Sequence, residues 1–334
     1  MLKDYNQGDQ VSLTMLVISA TPRETKAKKP YLSLVLTDGE QQIAANYWDW
    51  ASGKVPPKNA IVDVKAQLTK WNGTPQLNIS SILGNENASI AQFVPKSEID
   101  SETILEGVLE HLSASVDSAE LSQLGIDIIT ALRAHWLVTP GAITVHHAYL
   151  GGNLVHCFAV GRIAQAIAKE MQEINGEEFV NPDLCFLGGF LHDVGKLFTY
   201  KFEGATIEMT DEGKMFDHTF LGARFLSNFI EAVTSGEAPS TNPDAYANIP
   251  WDVEGNYPLF QVLIHIILSH HGELEKGAAV PPLCVEAGIV NAADGIDSAA
   301  EMVKMFSKTD AMWTDRIFFL NNKPHISTKW LSQW

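Results

Sequence analysis

The periodicity of the chain changes once, close to residue 100 of its 334 residues. Between residues 11 and 82, short stretches rich in β-branched residues tend to alternate apolar with polar positions, as strands with one buried face do. From Ser101 onward, apolar residues recur instead at the spacing of amphipathic helices. We therefore predict a multidomain chain in which an all-β domain precedes an all-α domain.

The first domain is predicted to be a small closed barrel of the OB type, because five short strands fit into a segment of about 80 residues. The dipeptides Asp38-Gly39 and Asn72-Gly73 are signals for tight turns between strands. The predicted strands are 11–18, 31–37, 42–48, 60–70 and 74–79.

Composition places the domain boundaries. The barrel is assigned to residues 1–97, which end in a polar linker, and residues 98–140 are predicted to be a helical linker. Residues 141–310 form the predicted main helical domain, and 311–334 a C-terminal extension in the form of a strand pair or an extended arm. Residues 234–256 are rich in Pro, Asn and Gly and are predicted to be a long loop. This loop is either a lid, an oligomer contact or an insertion without a function of its own.

Charge is unevenly distributed. The net charge is −17, which on its own argues against a nucleic-acid partner. Residues 1–97, however, hold ten Lys and Arg against eight Asp and Glu, a net of +2, and the remainder carries −19. A mildly basic front end joined to an acidic remainder suggests a division of labour, although acidity that only keeps the protein soluble is the simpler explanation for most carboxylates.

The three cysteines, Cys157, Cys185 and Cys284, are scattered among apolar neighbours and form no CxxC pair. They are predicted to be buried thiols in a reducing cytoplasm. No apolar run of about 18 residues is present, so we expect no membrane partner.

The strongest chemical signal is the pair His192-Asp193, which ends an apolar helical segment and precedes Gly195 and Lys196. Imidazole binds borderline transition metals, and a carboxylate can bridge two cations. Similar residues precede and follow the pair, in the order His, His-Asp, His, His, Asp. They are His156, His192-Asp193, His218, His270 and Asp294.

That order resembles the HD phosphohydrolase superfamily in its two-metal form. The segments 146–152 (HHAYLGG), 191–196 (LHDVGK) and 268–273 (LSHHGE) look like the YhaM type of 3′–5′ exoribonuclease. That family joins an N-terminal OB fold to an HD domain, and the resemblance covers nearly the whole chain. It implies an OB-fold nucleic-acid-binding domain followed by an HD metal-dependent phosphohydrolase domain.

The resemblance implies roles for individual residues. His156, His192, Asp193 and Asp294 would hold one metal, and Asp193 would bridge to a second held also by His218 and His270. His271 is either a further ligand or a proton donor, and Lys196 would meet a substrate phosphate. One of His146 and His147 is expected to contact substrate, and we assign that role to His147.

Two divalent cations are therefore the expected cofactors. An imidazole-rich, carboxylate-bridged site favours Mn²⁺, with Fe²⁺ and Co²⁺ as close alternatives, whereas Mg²⁺ prefers a shell of oxygen ligands.

The barrel offers aromatic and basic residues of the kind that hold single strands, since aromatic rings stack on bases and lysines follow phosphates. We assign substrate binding to Trp48, Trp71 and Lys70. The alternative is that these aromatics belong to the core and that the lysines are only solvated.

We therefore expect a phosphodiesterase that degrades single-stranded RNA, or DNA, from its 3′ end to nucleoside 5′-monophosphates. One alternative is a phosphohydrolase of small or cyclic nucleotides, in which the barrel serves assembly or regulation. Another is a non-catalytic nucleic-acid-binding or scaffold protein, which the intact ligand set disfavours. Oligomeric state, including a homo-oligomer, is left open.

Overall fold

The structure is a computed structural model that describes residues 2–51, 53–96, 99–237 and 258–332. It divides into two compact units. The barrel unit comprises Met1–Pro95 and Phe202–Ile207, and the helical unit comprises Lys96–Lys201 and Glu208–Trp334.

The barrel unit contains a closed barrel of five strands, as the sequence predicts. The strands are β1 (Gln10–Glu24), β2 (Pro30–Thr37), β3 (Gln42–Tyr47), β4 (Ile61–Trp71) and β5 (Thr74–Gly84). They follow one another around the barrel as β1-β2-β3-β5-β4, and β4 closes it by pairing antiparallel with β1. β3 and β5 pair in parallel, and the other neighbours are antiparallel. This crossed order is the Greek-key arrangement of an OB fold.

Alternation along each strand fills the barrel interior. In β4, for example, Val62 and Val64 are buried while Asp63 and Lys65 are exposed. Between β4 and β5, Asn72 and Gly73 both have positive φ, at 49° and 83°. That is the conformation a two-residue hairpin turn requires, and Asn and Gly adopt it at least cost.

The helical unit contains all of the α-helices among the described residues. They are α1 (Ser101–Ser115), α2 (Ala119–Ala131), α3 (Arg133–Trp136), α4 (Gly152–Asn175), α5 (Pro182–Leu191), α6 (Lys196–Thr199), α7 (Asp211–Thr234), α8 (Pro258–Ser269), α9 (Val285–Phe306) and α10 (Thr328–Leu331). Side-chain caps begin several of them; Asp100, for instance, accepts a hydrogen bond from the Thr103 amide at the start of α1.

Residues 98–140, expected to be a helical linker, contain the helices α1, α2 and α3. Their apolar side chains belong to the same core as α4, α5, α7 and α8. Leu105, Leu121 and Trp136 are fully buried there, and Trp136 stacks on Phe190 of α5. In packing, α1–α3 are thus an integral layer of the helical unit.

Two strands that the sequence did not predict, β6 (Tyr200–Glu203) and β7 (Thr206–Met209), form a hairpin between α6 and α7. The C-terminal extension contains isolated bridges, Trp313–Ile326 and Ile317–Lys323, rather than a strand pair. Most of the predicted loop 234–256 lies outside the described residues, after Glu237. Among the described helices, none combines the length and the apolarity needed to cross a membrane.

Candidate metal centre

Five helices bring the candidate ligands together. α4 carries His156 in its second turn, and α5 ends where His192 and Asp193 follow. α7 carries His218, His270 and His271 follow α8, and α9 carries Asp294. All these ligands except Asp294 and His271 are less than 10% exposed, so the centre is built into the core.

Glycines allow the helices to approach closely. A Cβ on Gly189 of α5 would lie 2.8 Å from the Gly161 Cα of α4. A Cβ on Gly188 would lie 2.5 Å from Ile266 Cδ1 of α8. The backbone contact of Gly189 leaves no space for a larger residue, and the rings of His156 and His192 lie 5.1 Å apart between centroids.

Gly195 serves the same purpose just after the His-Asp pair. A Cβ there would collide with the His218 carbonyl oxygen and lie 2.6 Å from the Gly222 amide nitrogen. The glycine of the sequence motif therefore lets the start of α6 lie against α7, which places His218 beside Asp193.

The two carboxylate oxygens of Asp193 face different sets of imidazoles. Oδ2 lies 3.4 Å from His156 Nε2 and 3.3 Å from His192 Nε2. Oδ1 lies 3.4 Å from His218 Nε2 and 3.7 Å from His270 Nε2. Asp294 Oδ1 completes the first set at 3.2 Å from His156 Nε2. A carboxylate so placed can bridge two cations.

The imidazoles are oriented through their other ring nitrogen. Nδ1 of each lies within hydrogen-bond distance of an oxygen that can only accept, so Nδ1 carries a proton and Nε2 is directed at the cluster. The acceptors are Asp297 Oδ2 for His156 (2.7 Å), the Gly189 carbonyl for His192 (2.6 Å), Asp217 Oδ1 for His218 (2.5 Å) and the Ile267 carbonyl for His270 (2.8 Å).

Several buried polar atoms of the cluster have no hydrogen-bond partner. They are His156 Nε2, His192 Nε2, Asp193 Oδ1 and His271 Nδ1. Buried polar atoms without partners are costly in a folded protein unless something else satisfies them. Imidazole nitrogens and a carboxylate oxygen that converge in this way fit a divalent transition metal. Groups of ligand atoms within 4.8 Å of one another include His156–His192–Asp193, His192–His270–Asp294 and His218–His270–His271.

His271 and Lys196 complete the surroundings. His271 Nε2 lies 3.2 Å from His218 Nε2, on the side of the second set, which is where a further ligand would stand. Lys196 Nζ lies 2.6 Å from Asp193 Oδ2, with its side chain 11% exposed. The ammonium group thus contacts the bridging carboxylate directly.

The electrostatic surroundings keep the carboxyl groups of Asp193 and Asp294 ionised and the imidazole of His270 neutral, which are the states that bind a cation. Burial would raise the pKa of the Asp193 carboxyl, but Lys196 and the neighbouring imidazoles outweigh burial and hold that pKa well below its usual range. Burial would also raise the pKa of the Asp294 carboxyl, but contacts with imidazoles, chiefly His156, keep that pKa low. Burial lowers the pKa of His270 well below its usual value, which keeps that ring neutral. For His156, contacts with Asp193, Asp294 and Asp297 outweigh burial and raise the pKa.

Sequence reasoning did not identify Asp297 as a functional residue. It lies one helical turn after Asp294, and its Oδ2 accepts hydrogen bonds from His156 Nδ1 and His147 Nε2. The signal was the three-residue spacing of two aspartates on α9, which puts both on one helix face.

His147, predicted to bind substrate, has both ring nitrogens in hydrogen bonds. Its Nε2 contacts Asp297 Oδ2, and its Nδ1 lies 3.0 Å from the Tyr149 hydroxyl. The Nδ1 of the neighbouring His146 is buried and unpartnered.

Asp217 is the other residue that acts on a ligand. Its backbone, at φ 61° and ψ 161°, interrupts α7 in a region that residues other than glycine rarely occupy. The conformation lets its Oδ1 accept from both the amide and the Nδ1 of His218. The carboxyl has a pKa lowered to about 2, mainly through the bond to His218.

In the barrel unit, the predicted substrate-binding residues lie at the surface. Trp48 is 40% exposed; its ring stacks on Tyr31 at 4.5 Å between centroids, and its Nε1 donates to Asn78 Oδ1 at 3.2 Å. Trp71, beside the β4–β5 turn, is 68% exposed, and Lys70 is exposed next to it. None of the three belongs to the barrel core.

Comparison with known proteins gives matches to both parts of the chain. Residues 153–299 match the family profile of the HD domain, a superfamily of metal-dependent phosphohydrolases. The barrel is similar to the second OB-fold domain of replication protein A from Methanococcus maripaludis, at 17% identity over 27% of this chain and 96% of that one, with a TM-score of 0.23. It is also similar to a replication protein A heterotrimer bound to ssDNA, at 18% identity over 26% of this chain and 65% of that one, with a TM-score of 0.21. The strand order itself gives an OB-like barrel, and the helical part that follows contains the match to the HD domain.

Proposed function

We propose that the protein is a metal-dependent phosphodiesterase that removes nucleotides from the 3′ end of single-stranded RNA. DNA is the alternative strand, and nucleoside 5′-monophosphates are the products. The cytoplasm, which has the reducing conditions expected for three unpaired cysteines, is the proposed location.

The observation that carries this proposal is the position of Asp193. Its two oxygens face two separate sets of imidazole nitrogens, and two of these nitrogens, His156 Nε2 and His192 Nε2, have no hydrogen-bond partner. His156, His192, Asp193 and Asp294 would hold one cation, and Asp193, His218 and His270 would hold the second, with His271 beside it. Mn²⁺ is the proposed metal, because two imidazole ligands on each cation are unusual for Mg²⁺. When bound, a pair of divalent cations supplies positive charge for the phosphoryl oxygens and lowers the pKa of a water molecule.

The protein's own residues would orient and enclose the substrate. Asp193 is 2% exposed and His192 is fully buried, so the centre suits the end of a strand better than an internal phosphodiester. Lys196 is the nearest cation that could compensate a phosphate, by exchanging its contact with Asp193 for one with substrate. His146, whose Nδ1 is free, is a better candidate than His147 for a substrate contact.

The barrel would bind the strand on the surface that OB folds use, namely the β2–β3 face and the loops between β1 and β2 and between β4 and β5. Tyr31 lies on β2, Trp48 directly follows β3, and Trp71 and Lys70 adjoin the β4–β5 turn. The loop 25–29 between β1 and β2 adds three lysines. Exposed aromatic rings can stack on the bases of a single strand, and neighbouring lysines can contact its phosphates.

Small nucleotides are a second candidate substrate class, favoured by charge. The part of the chain after residue 97 carries −19, which repels a long polyanion more than a mononucleotide. In that case, the barrel would serve assembly or regulation.

The deciding experiment uses the full chain, stripped of metal and supplied with Mn²⁺. A 20-nucleotide single-stranded RNA carrying a fluorophore at its 5′ end is incubated with the protein, in parallel with mononucleotides and cyclic nucleotides. We expect a ladder of labelled products shortened from the 3′ end and release of nucleoside 5′-monophosphates.

Matched variants make the result specific. Asp193→Asn removes the bridging charge and is expected to abolish activity, whereas Asp310→Asn, at an exposed position, should retain it. If the protein hydrolyses the small nucleotides and leaves the 20-nucleotide RNA intact, the second substrate class is favoured. If Asp193→Asn retains the full activity of the native protein, the proposed metal centre is excluded.

A further inference from the structure

Asp297 lies outside the set of proposed metal ligands, yet one of its oxygens serves two imidazoles. Oδ2 accepts from His156 Nδ1 at 2.7 Å and from His147 Nε2 at 2.9 Å. The side chain is 12% exposed, and the two rings are buried. Partly shielded hydrogen bonds to a carboxylate are stronger than neutral ones, so this bridge constrains both rings.

On one side, the bridge acts on a ligand. A carboxylate that accepts the Nδ1 proton of a ligating histidine fixes its tautomer and ring orientation and increases its basicity. His192 and His270 are held by backbone carbonyls, which a side-chain substitution does not remove. In the first ligand set, His156 alone among the imidazoles depends on a replaceable side chain.

On the other side, the bridge acts on the loop before α4. His147 has φ of 56°, and its Nδ1 meets the Tyr149 hydroxyl at 3.0 Å. Its carbonyl oxygen accepts from the amides of Gly141 and Tyr149, each at 2.9 Å. Fixing the His147 ring therefore fixes a local turn network within residues 139–151.

The same loop carries His146. Its ring lies 5.9 Å from that of His156, and its buried Nδ1 has no partner. A buried nitrogen without a partner, held over the ligand cluster, is available to a substrate group.

We infer that Asp297 is a positioning residue: it tunes metal affinity through His156 and, through His147, holds the 139–151 loop so that His146 faces the substrate. This inference rests on the proposed metal centre but not on which nucleotide is cleaved. Metal affinity and loop order are predicted to respond together when Asp297 is replaced.

The test compares three variants with the native full chain and with Asp310→Asn as the control. Mn²⁺ affinity is measured by calorimetric titration, and hydrogen exchange is followed at the amides of the 139–151 loop. Asp297→Ala is expected to weaken Mn²⁺ binding by about 10–100-fold, the usual effect of losing such a partner. It should also accelerate exchange in the loop.

The other two variants separate the two effects. Asp297→Asn keeps an oxygen acceptor in place and is expected to restore most of the affinity. His147→Asn suits the left-handed backbone but removes the ring, so exchange should accelerate while affinity falls less than in Asp297→Ala.

The possible results are distinguishable. A native protein that binds no Mn²⁺ contradicts the proposed metal centre itself. A native protein that binds Mn²⁺, together with an Asp297→Ala variant of equal affinity and equal loop exchange, overturns the inference alone. If Asp297→Ala does not fold, Asp297→Ser, which withdraws the carboxylate from both rings, takes its place, and native Mn²⁺ affinity in that variant overturns the link to His156. Unchanged loop exchange in His147→Asn overturns the link to the loop.

Discussion

At the scale of single residues, Asp193 is the point on which the other side chains converge, and its neighbours are held by specific partners. Two of those partners are main-chain carbonyls, and two are the carboxylates of Asp217 and Asp297. The carboxylate partners can be replaced, and each replacement yields a separate prediction.

Asp217→Gly is expected to separate stability from metal binding. Glycine tolerates the backbone at φ 61°, which relieves strain of about 1–3 kcal/mol. The two lost hydrogen bonds to His218 cost about 1 kcal/mol each, so the free energy of unfolding should stay within about 1 kcal/mol of the native value. Affinity for the second cation should fall, because His218 loses its orientation. Urea unfolding and metal titration measure both quantities, and a large loss of stability with unchanged affinity would contradict the prediction.

Trp48→Ala is expected to weaken binding of a single strand by about 1–3 kcal/mol, the contribution of one base stacked on an aromatic ring. Trp48→Phe should retain most of the affinity. Trp313→Ala, which replaces an exposed tryptophan in the C-terminal extension, is the matched control and should bind normally. Fluorescence anisotropy with a labelled strand measures the difference, and equal losses in Trp48→Ala and the control would exclude a stacking role.

The ligand candidates could be predicted from the sequence because their order along the chain is distinctive. Asp297 could not, because two aspartates three residues apart are most often a solvated helix face. The contact of His147 with Asp297 was also hidden, since it depends on the conformation of a loop in which His147 has a positive φ. Neither feature follows from residue type alone.

At the scale of elements, close helix packing decides whether the ligands meet. Gly161, Gly188 and Gly189 bring α4, α5 and α8 together, and Gly195 brings α6 to α7. A histidine several Å from its place could not share a cation with Asp193.

Gly195→Ala is expected to destabilise the protein by about 2–3 kcal/mol, because the added methyl group overpacks the α6–α7 contact. It should also weaken metal binding, because the displaced element carries His218. Gly288→Ala is the control: this glycine lies in α9 with nothing within 4 Å of an added Cβ, so alanine should raise helix stability slightly. Denaturant unfolding of both variants checks the prediction, and equal effects would contradict the packing argument.

The strands of the barrel and the long helices were predictable because local signals agree with tertiary burial. Asn72-Gly73 is one such signal, and the alternation in β4 is another. The β6–β7 hairpin was missed because each strand has only four residues, none of them fully buried, which is too short for an alternation to stand out. In the C-terminal extension, predicted to be a strand pair or an extended arm, two isolated bridges form, since a few apolar residues in extended conformation need not form a ladder.

At the scale of the whole molecule, charge divides the chain into a slightly basic and a strongly acidic part. If the barrel binds the strand with the few lysines near Trp48 and Trp71, the number of phosphates neutralised is small. We therefore expect the logarithm of affinity to fall with the logarithm of salt concentration at a slope no steeper than about −3, at about −0.7 per neutralised phosphate.

Replacing Lys26, Lys28, Lys29 and Lys70 by glutamine should flatten that slope further. The same number of substitutions at lysines of the helical unit (Lys169, Lys214, Lys276 and Lys304) should not. Anisotropy titrations at several salt concentrations measure the slopes. An unchanged slope in the barrel variant would remove the barrel from the proposed binding surface.

The central claim is that side chains distant in sequence hold two cations on either side of Asp193. It is tested most directly by a crystal structure of the full chain grown with Mn²⁺, with anomalous scattering used to locate the metal. We expect two peaks, one among His156, His192, Asp193 and Asp294, the other among Asp193, His218 and His270. Density that shows no manganese at Asp193, or these side chains directed to separate regions, would contradict it.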